Sequence, residues 1–195
     1  MWRVRLRRPQ GFVGAGLTSW GHISASDVYQ PRLDVMTSLG AACRANSEMA
    51  AHADTIFVAV KPGQVAGVLA EIAPTLDQSR HVLVSIAAGV TIETLEGALA
   101  DAGAPDAKVV RVMPNTPCFV GETASAYALG RRATPEDGAA VEKLMDAVGT
   151  IHKVRTLSQR ARARAHAHTC AHVWRAIQSP WLPATVRSGA EHPDS

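Results

Sequence analysis

The chain has 195 residues, enough for one good-sized domain or a domain with a tail, and its 47% apolar but only 5% aromatic composition supports a real core of the α/β kind. Its formal charge of +3 is concentrated at the ends: nine arginines in residues 1–8 and 158–195 meet only two acids there, and residues 9–157 are net acidic, so the basic pI does not argue for nucleic acid. No apolar run approaches the roughly 20 residues of a membrane span.

Residues 1–8 alternate with period two and carry arginine without acid. They read as a basic extension, with part of a mitochondrial presequence as the alternative. The apolar stretch Gly11-Phe12-Val13-Gly14-Ala15-Gly16 follows and reads as a strand ending in Gly-x-Gly. Such a turn normally hands the chain to a helix whose first amides cradle a dinucleotide pyrophosphate, although Gly-x-Gly also marks ordinary turns. Here only Leu17-Thr18-Ser19-Trp20-Gly21-His22 separate it from the next strand, over residues 23–25. A parallel crossover takes about a dozen residues with its helix, so a piece is missing.

Asp27 follows that strand, where a Rossmann fold places its ribose-reading acid; it would favour NAD by repelling the 2′-phosphate of NADP. It reads equally as a cap or turn aspartate, and Ser26 beside it offers a hydroxyl to ribose or phosphate instead. Residues 31–39 form a helix closed by Gly40. Residues 41–45 are a weak strand, with a helical turn capped by Asn46 or Ser47 behind them.

Residues 55–60 make a continuous apolar strand. It ends in Ala59-Val60-Lys61-Pro62, with Lys61 a candidate cofactor neighbour or a plain surface lysine. A helix over 64–72 places Val65, Val68, Leu69 and Ile72 on one face. Strand 81–86 ends in Ala87-Ala88-Gly89, small enough for close backbone approach, and helix 91–99 follows. Strand 108–113 runs into Pro114-Asn115-Thr116-Pro117, strand 123–129 into a helix opened by Thr134-Pro135-Glu136-Asp137, and strand 150–154 closes the series. The alternation predicts a Rossmann-like, doubly wound, mostly parallel sheet over residues 9–157.

From Ser158 the pattern stops. Every residue from Arg160 to Val173 can be encoded by an unbroken pyrimidine–purine alternation, which reads as a translated dinucleotide repeat of intronic or frame-shifted origin. Residues 158–195 are expected to be a low-complexity, disordered tail. Its His166, His168, Cys170 and His172 stand at strict i, i+2 spacing, unlike a structural zinc site, so no metal is expected. Cys43, Cys118 and Cys170 show no disulfide spacing either, and a reducing, cytoplasmic setting is the default.

Taken together, Gly11–Gly16, Ile23-Ser24-Ala25-Ser26-Asp27, Asn46, Ala59-Val60-Lys61-Pro62, Val84-Ser85-Ile86-Ala87-Ala88-Gly89-Val90-Thr91 and Arg111-Val112-Met113-Pro114-Asn115-Thr116-Pro117 resemble pyrroline-5-carboxylate reductase over about residues 10–157. The resemblance implies NAD(P)H-dependent reduction of 1-pyrroline-5-carboxylate to L-proline, the last step of proline synthesis. It implies a dinucleotide, NADP or NAD, with Gly14, Ala15 and Gly16 on the pyrophosphate and Ser26, Asp27 and Asn46 on the adenosine side. Ala59, Val60, Lys61, Pro62, Ala87, Ala88 and Gly89 would lie along the cofactor.

The family pattern also carries a full helix after Gly-Ala-Gly and a helical domain that makes the homo-oligomer and the substrate pocket; neither has a counterpart here. No catalytic residue is therefore assigned, and the chain alone is expected not to perform the reaction. The alternatives are a non-catalytic truncated isoform with residual nucleotide binding, a related imine or β-hydroxyacid reductase, and a defective gene model. Nucleic acid and membrane are not expected partners.

Overall fold

The chain divides into Met1–Leu157 and Ser158–Ser195. The computed structural model describes residues 3–114 and 123–154, all within the first unit. Asn115, Thr116 and Pro117, Cys118, and the tail with His166, His168, Cys170 and His172 lie outside the described residues. In chain order the elements are α1 (Arg3–Gly14), β1 (Ser24–Ala25), α2 (Gln30–Ser38), β2 (Ala42–Cys43), α3 (Asn46–His52) and β3 (Thr55–Val58). They continue with α4 (Val65–Ile72), β4 (Val82–Ser85), α5 (Ile92–Asp101), β5 (Lys108–Pro114), β6 (Thr123–Leu129), α6 (Pro135–Asp146) and β7 (Gly149–Lys153).

Strands β3 to β7 lie side by side in chain order as one five-stranded sheet, parallel at every step except β5–β6. Alternate residues of its strands feed two cores, as the period-two geometry of a strand requires. Ile56, Val58, Leu83 and Val109 pack with Ala50 of α3, Val65, Leu69 and Ile72 of α4, and Leu95 and Leu99 of α5. Val82, Val84, Val110, Val112, Tyr127 and Ile151 pack on the other face with Val141 and Met145 of α6. Helices therefore cover both faces, the doubly wound arrangement that the alternation of elements predicts.

The local signals act where they stand. Thr134 caps α6 in a full capping box, its Oγ1 accepting from the Asp137 N–H at 3.2 Å while its own N–H donates to Asp137 Oδ2 at 2.8 Å. At the end of α2, Gly40 takes φ of 95° while Ala41 N–H donates to Met36 O at 3.0 Å, a Schellman closure.

The segment expected as the first strand is instead the end of a helix. α1 runs through Gly14, then Leu17 N–H donates to Phe12 O and Gly16 N–H to Val13 O, both at 3.0 Å, with Gly16 at φ of 70°. This is the same Schellman closure, with Gly16 as the left-handed residue. Phe12 is buried against the Phe57 ring at 5.8 Å, and a Cβ on Gly11 would collide with Val148, so the helix end sits on the sheet face that α6 covers. The physical reason is the short connection. Six residues cannot carry the chain from a strand back to a parallel neighbour, so residues 11–16 are excluded from the sheet and close on themselves.

That exclusion divides the sheet. β1 and β2 pair in parallel over Ser24↔Ala42 and Ala25↔Cys43 as a separate two-stranded piece, and β3 is left as an edge of the five-stranded one.

At the opposite, N-terminal end of β4, His81 is buried and accepts the Asp77 N–H at its Nδ1, 3.0 Å away, with Arg80 against the other ring nitrogen and bridging to Asp54. Burial, then the Arg80 charge, holds its pKa below the ordinary 6.5. A group with a depressed folded pKa stabilises the fold fully above its unfolded pKa, and that share is lost as pH falls through the folded value. Stability to urea is therefore expected to fall as pH is lowered from 6.5. His81→Gln should flatten that part of the profile; an unchanged profile would contradict this account.

Candidate functional site

A cavity of about 180 Å³ lies between β1 and β3. One wall is Ser24, Ala25, Ser26 and Asp27, running off the end of β1, with Arg32, Leu33 and Met36 of α2. The other is Ile56, Phe57, Val58, Ala59 and Val60, running off the end of β3. Val68 and Ile72 of α4, Ile86 after β4, and Asn46 and Met49 of α3 complete the lining. Most of it is apolar, and its polar groups, Ser24, Ser26, Asp27, Arg32 and Asn46, come from three elements. The ends of parallel strands bordering a crevice are where open α/β sheets take their ligands.

The cavity also exposes backbone. Val82 N–H donates to Asp54 O and Ile86 N–H to Val58 O, so the even-numbered residues of β3 serve β4. In a parallel ladder the odd-numbered ones then face the other way. The N–H and C=O of Phe57 accordingly point toward the gap between the sheets.

Asp27 is organised by its neighbours. Its Oδ1 accepts the Tyr29 N–H at 3.0 Å, an Asx turn that leads into α2. Arg32 Nη1 donates to both oxygens, at 3.2 and 2.9 Å, and the Arg32 guanidinium lies over the Tyr29 ring, 5.2 Å from its centroid. The Asp27 side chain is 10% exposed and that of Arg32 27%. Asn46, whose amide donates to Glu71, stands at the start of α3; Ala45, not Asn46, occupies the cap position.

Of the residues expected at a dinucleotide, Ser26, Asp27, Asn46, Ala59 and Val60 are brought together around this cavity. Lys61 and Pro62 follow directly and are exposed, with Lys61 capping a short 3₁₀ turn. Ala87, Ala88 and Gly89 follow Ile86; Ala87 is buried and Gly89 takes φ of 85°. Gly14, Ala15 and Gly16 are exposed and do not line the cavity. They form a helix C-terminus, which offers carbonyls and the negative end of the dipole, the opposite of a phosphate cradle. The ribose end of a dinucleotide thus fits the residues present, and the pyrophosphate cradle does not form at Gly14–Gly16.

Sequence reasoning passed over Arg32 and took Arg111 only as part of a strand-end motif. Arg32 was a visible cation five residues past Asp27. Arg111 is 2% exposed on β5, in register with the buried Ser85, and an arginine inside an apolar strand run was its signal. Nearby Glu93 is held below the ordinary carboxylate range, chiefly by its own backbone N–H and by Thr91, with a smaller contribution from the Arg111 charge. Among the described residues no cluster of metal-ligating side chains is present, and no helix is long and apolar enough to cross a membrane.

The profile of the family described as "NADP oxidoreductase coenzyme F420-dependent" matches residues 22–89, a range that begins after Gly16 and takes in β1 to Gly89. Pyrroline-5-carboxylate reductase 2 from Homo sapiens is 42% identical over 148 residues, covering 74% of this chain and 46% of that protein. The chain spans about half the length of the curated relatives it matches. Among solved structures, a pyrroline-5-carboxylate reductase from Coxiella burnetii superposes with a TM-score of 0.73 at 22% identity, covering 97% of this chain and 82% of that one. The Plasmodium falciparum pyrroline carboxylate reductase, solved with NADP bound, gives 0.67 at 27% identity, covering 93% and 64%.

Proposed function

We propose, on the premise that this chain is a relative of pyrroline-5-carboxylate reductases, that it is the nucleotide-binding part of an NAD(P)H-dependent reductase of 1-pyrroline-5-carboxylate. What supports this most directly is the convergence of Ser26, Asp27, Asn46, Ala59 and Val60 on one cavity where β1 and β3 end. In this reading Ser26, Asp27 and Asn46 hold the adenosine end through hydroxyl, carboxylate and amide. Ala59, Val60, Lys61 and Pro62, with Ala87, Ala88 and Gly89, run along the rest of the cofactor, the small Ala87, Ala88 and Gly89 admitting it close to the backbone. When bound, the dinucleotide supplies the hydride that reduces the ring C=N. The residues around it orient it and keep water away.

Gly14, Ala15 and Gly16 would meet the pyrophosphate only in a strand-and-turn conformation, not as the end of α1. We therefore propose that the chain by itself binds the adenosine half of the cofactor and does not turn over. The test is to titrate the purified chain with NADPH and assay it with 1-pyrroline-5-carboxylate. Binding without NADPH oxidation is the expected result; steady oxidation would overturn the inactive reading, and absence of binding the whole assignment.

A further inference from the structure

The gap between β1 and β3 has the form of a socket for one more strand. Ala42 N–H donates to Ile23 O and Arg44 N–H to Ala25 O, so residues 23 and 25 serve β2 and Ser24 turns its backbone the other way. Phe57 does the same on β3, and Ser24 and Phe57 both line the cavity. Two strand edges thus border one slot, whose apolar walls include Met36, Ile56, Val58, Val68 and Ile72.

The chain carries a segment that fits this slot. Phe12 lies against Phe57, on the face that α6 covers. A strand over residues 11–16 that keeps Phe12 on that face turns Val13 and Ala15 to the opposite one, where a cavity of about 180 Å³ takes small side chains. The helix that now holds these residues is poorly made. α1 has Pro9 in its interior and Gly11 and Gly14 near its end, and of residues 9–16 Phe12 alone is buried.

Within one chain the six residues 17–22 bar the hexamer from this place. The gap of a second copy sets no such limit, because the strand before the connection and the strand after it then belong to different copies. Short connections that forbid closure within a chain favour exchange between chains. We propose that two copies of this chain exchange residues 11–16, each filling the β1–β3 gap of the other as an added strand. The exchange is reciprocal, so it closes as a two-fold dimer and leaves neither gap open. Each exchanged strand is about 20 Å long and covered on both edges and both faces, so together they exceed the roughly 1,000 Å² that a specific interface needs. Ser26, Asp27, Ala59 and Val60, which follow the two strands, stay at the end of the filled gap.

The test follows the full chain by sedimentation after release from mild urea over a range of concentrations. A monomer–dimer equilibrium is expected, with amide exchange at Phe57 fast in the monomer and slowed at least about a hundredfold in the dimer. Ala15→Lys separates this dimer from any other. Ala15 is exposed just past the C-terminus of α1, where a lysine suits the monomer, whereas in the exchanged strand it would bury an unpaired charge. The variant should keep the urea midpoint of the monomer and dimerise at least about a hundredfold more weakly. Adding about a dozen residues between Gly16 and Leu17 should also give a monomer, since the strand then reaches its own gap. A chain that stays monomeric at every concentration, a dimer with fast exchange at Phe57, or a dimer that Ala15→Lys leaves intact would overturn the exchange.

Discussion

Inserting about a dozen helix-forming residues between Gly16 and Leu17 is expected to convert residues 11–16 from helix to strand and to join the two sheets into one. The reasoning is geometric. β1 and β3 border a common gap, and Phe57 turns backbone donors and acceptors into it. Residues 11–16 are apolar, and what keeps them out is the six-residue tether that follows. With a crossover of sufficient length they can run parallel to both neighbours and fill the gap with a ladder. Hydrogen exchange at the Phe57 amide is the direct readout: fast in the chain as it stands, slowed by at least about a hundredfold once paired and buried. NADPH affinity should rise by about tenfold or more in the same variant, because Gly14–Gly16 would then offer amides where they now offer a helix C-terminus. Unchanged exchange at Phe57 would show that residues 11–16 prefer the helix for reasons other than the tether.

Leu69→Ala is expected to cost about 2–5 kcal/mol, a large share of the roughly 5–15 kcal/mol that holds a domain together. Leu69 has no exposed surface and sits where α4 meets β3, β4 and α5, in one core with Val65, Ile72, Leu83 and Leu95. Removing it leaves a void that the surrounding sheet is too rigid to close. Val68, one residue earlier, lines the existing cavity and is only half-buried, so Val68→Ala should cost distinctly less, about 1 kcal/mol. Urea midpoints of the two variants would measure the difference. Equal costs would mean that α4 is rotated relative to the packing described here.

The central strands and α6 were legible in the sequence because their signals are local. A run such as residues 55–60 can hide its side chains only between two helical layers, and Thr134-Pro135-Glu136-Asp137 carries its own hydrogen-bond partners. Residues 11–16 were not, because an apolar, glycine-rich hexamer is helix or strand according to what lies beside it. The count of six residues to the next strand was the deciding quantity, and it was visible; its consequence for the hexamer itself was not drawn from pattern alone. At the site, Ser26, Asp27, Ala59 and Val60 were singled out from sequence because strand ends are where such crevices lie, and these four line the cavity. The Arg32 partner of Asp27 was not read from sequence, since it stands at i+5, a spacing that regular helix geometry does not pair. The contact exists because the turn at Asp27 bends the chain just before α2 starts.

The two-stranded piece made by β1 and β2 holds only four paired residues, too few to be stable without support. Beside the five-stranded sheet, with its two cores, it is a weakly anchored flap, open to local unfolding at a fraction of the cost of global unfolding. A nucleotide seated between Asp27 and Val60 would touch both pieces and act as a clasp. Its binding energy would then appear first as slower opening of that flap, with the main transition moving much less.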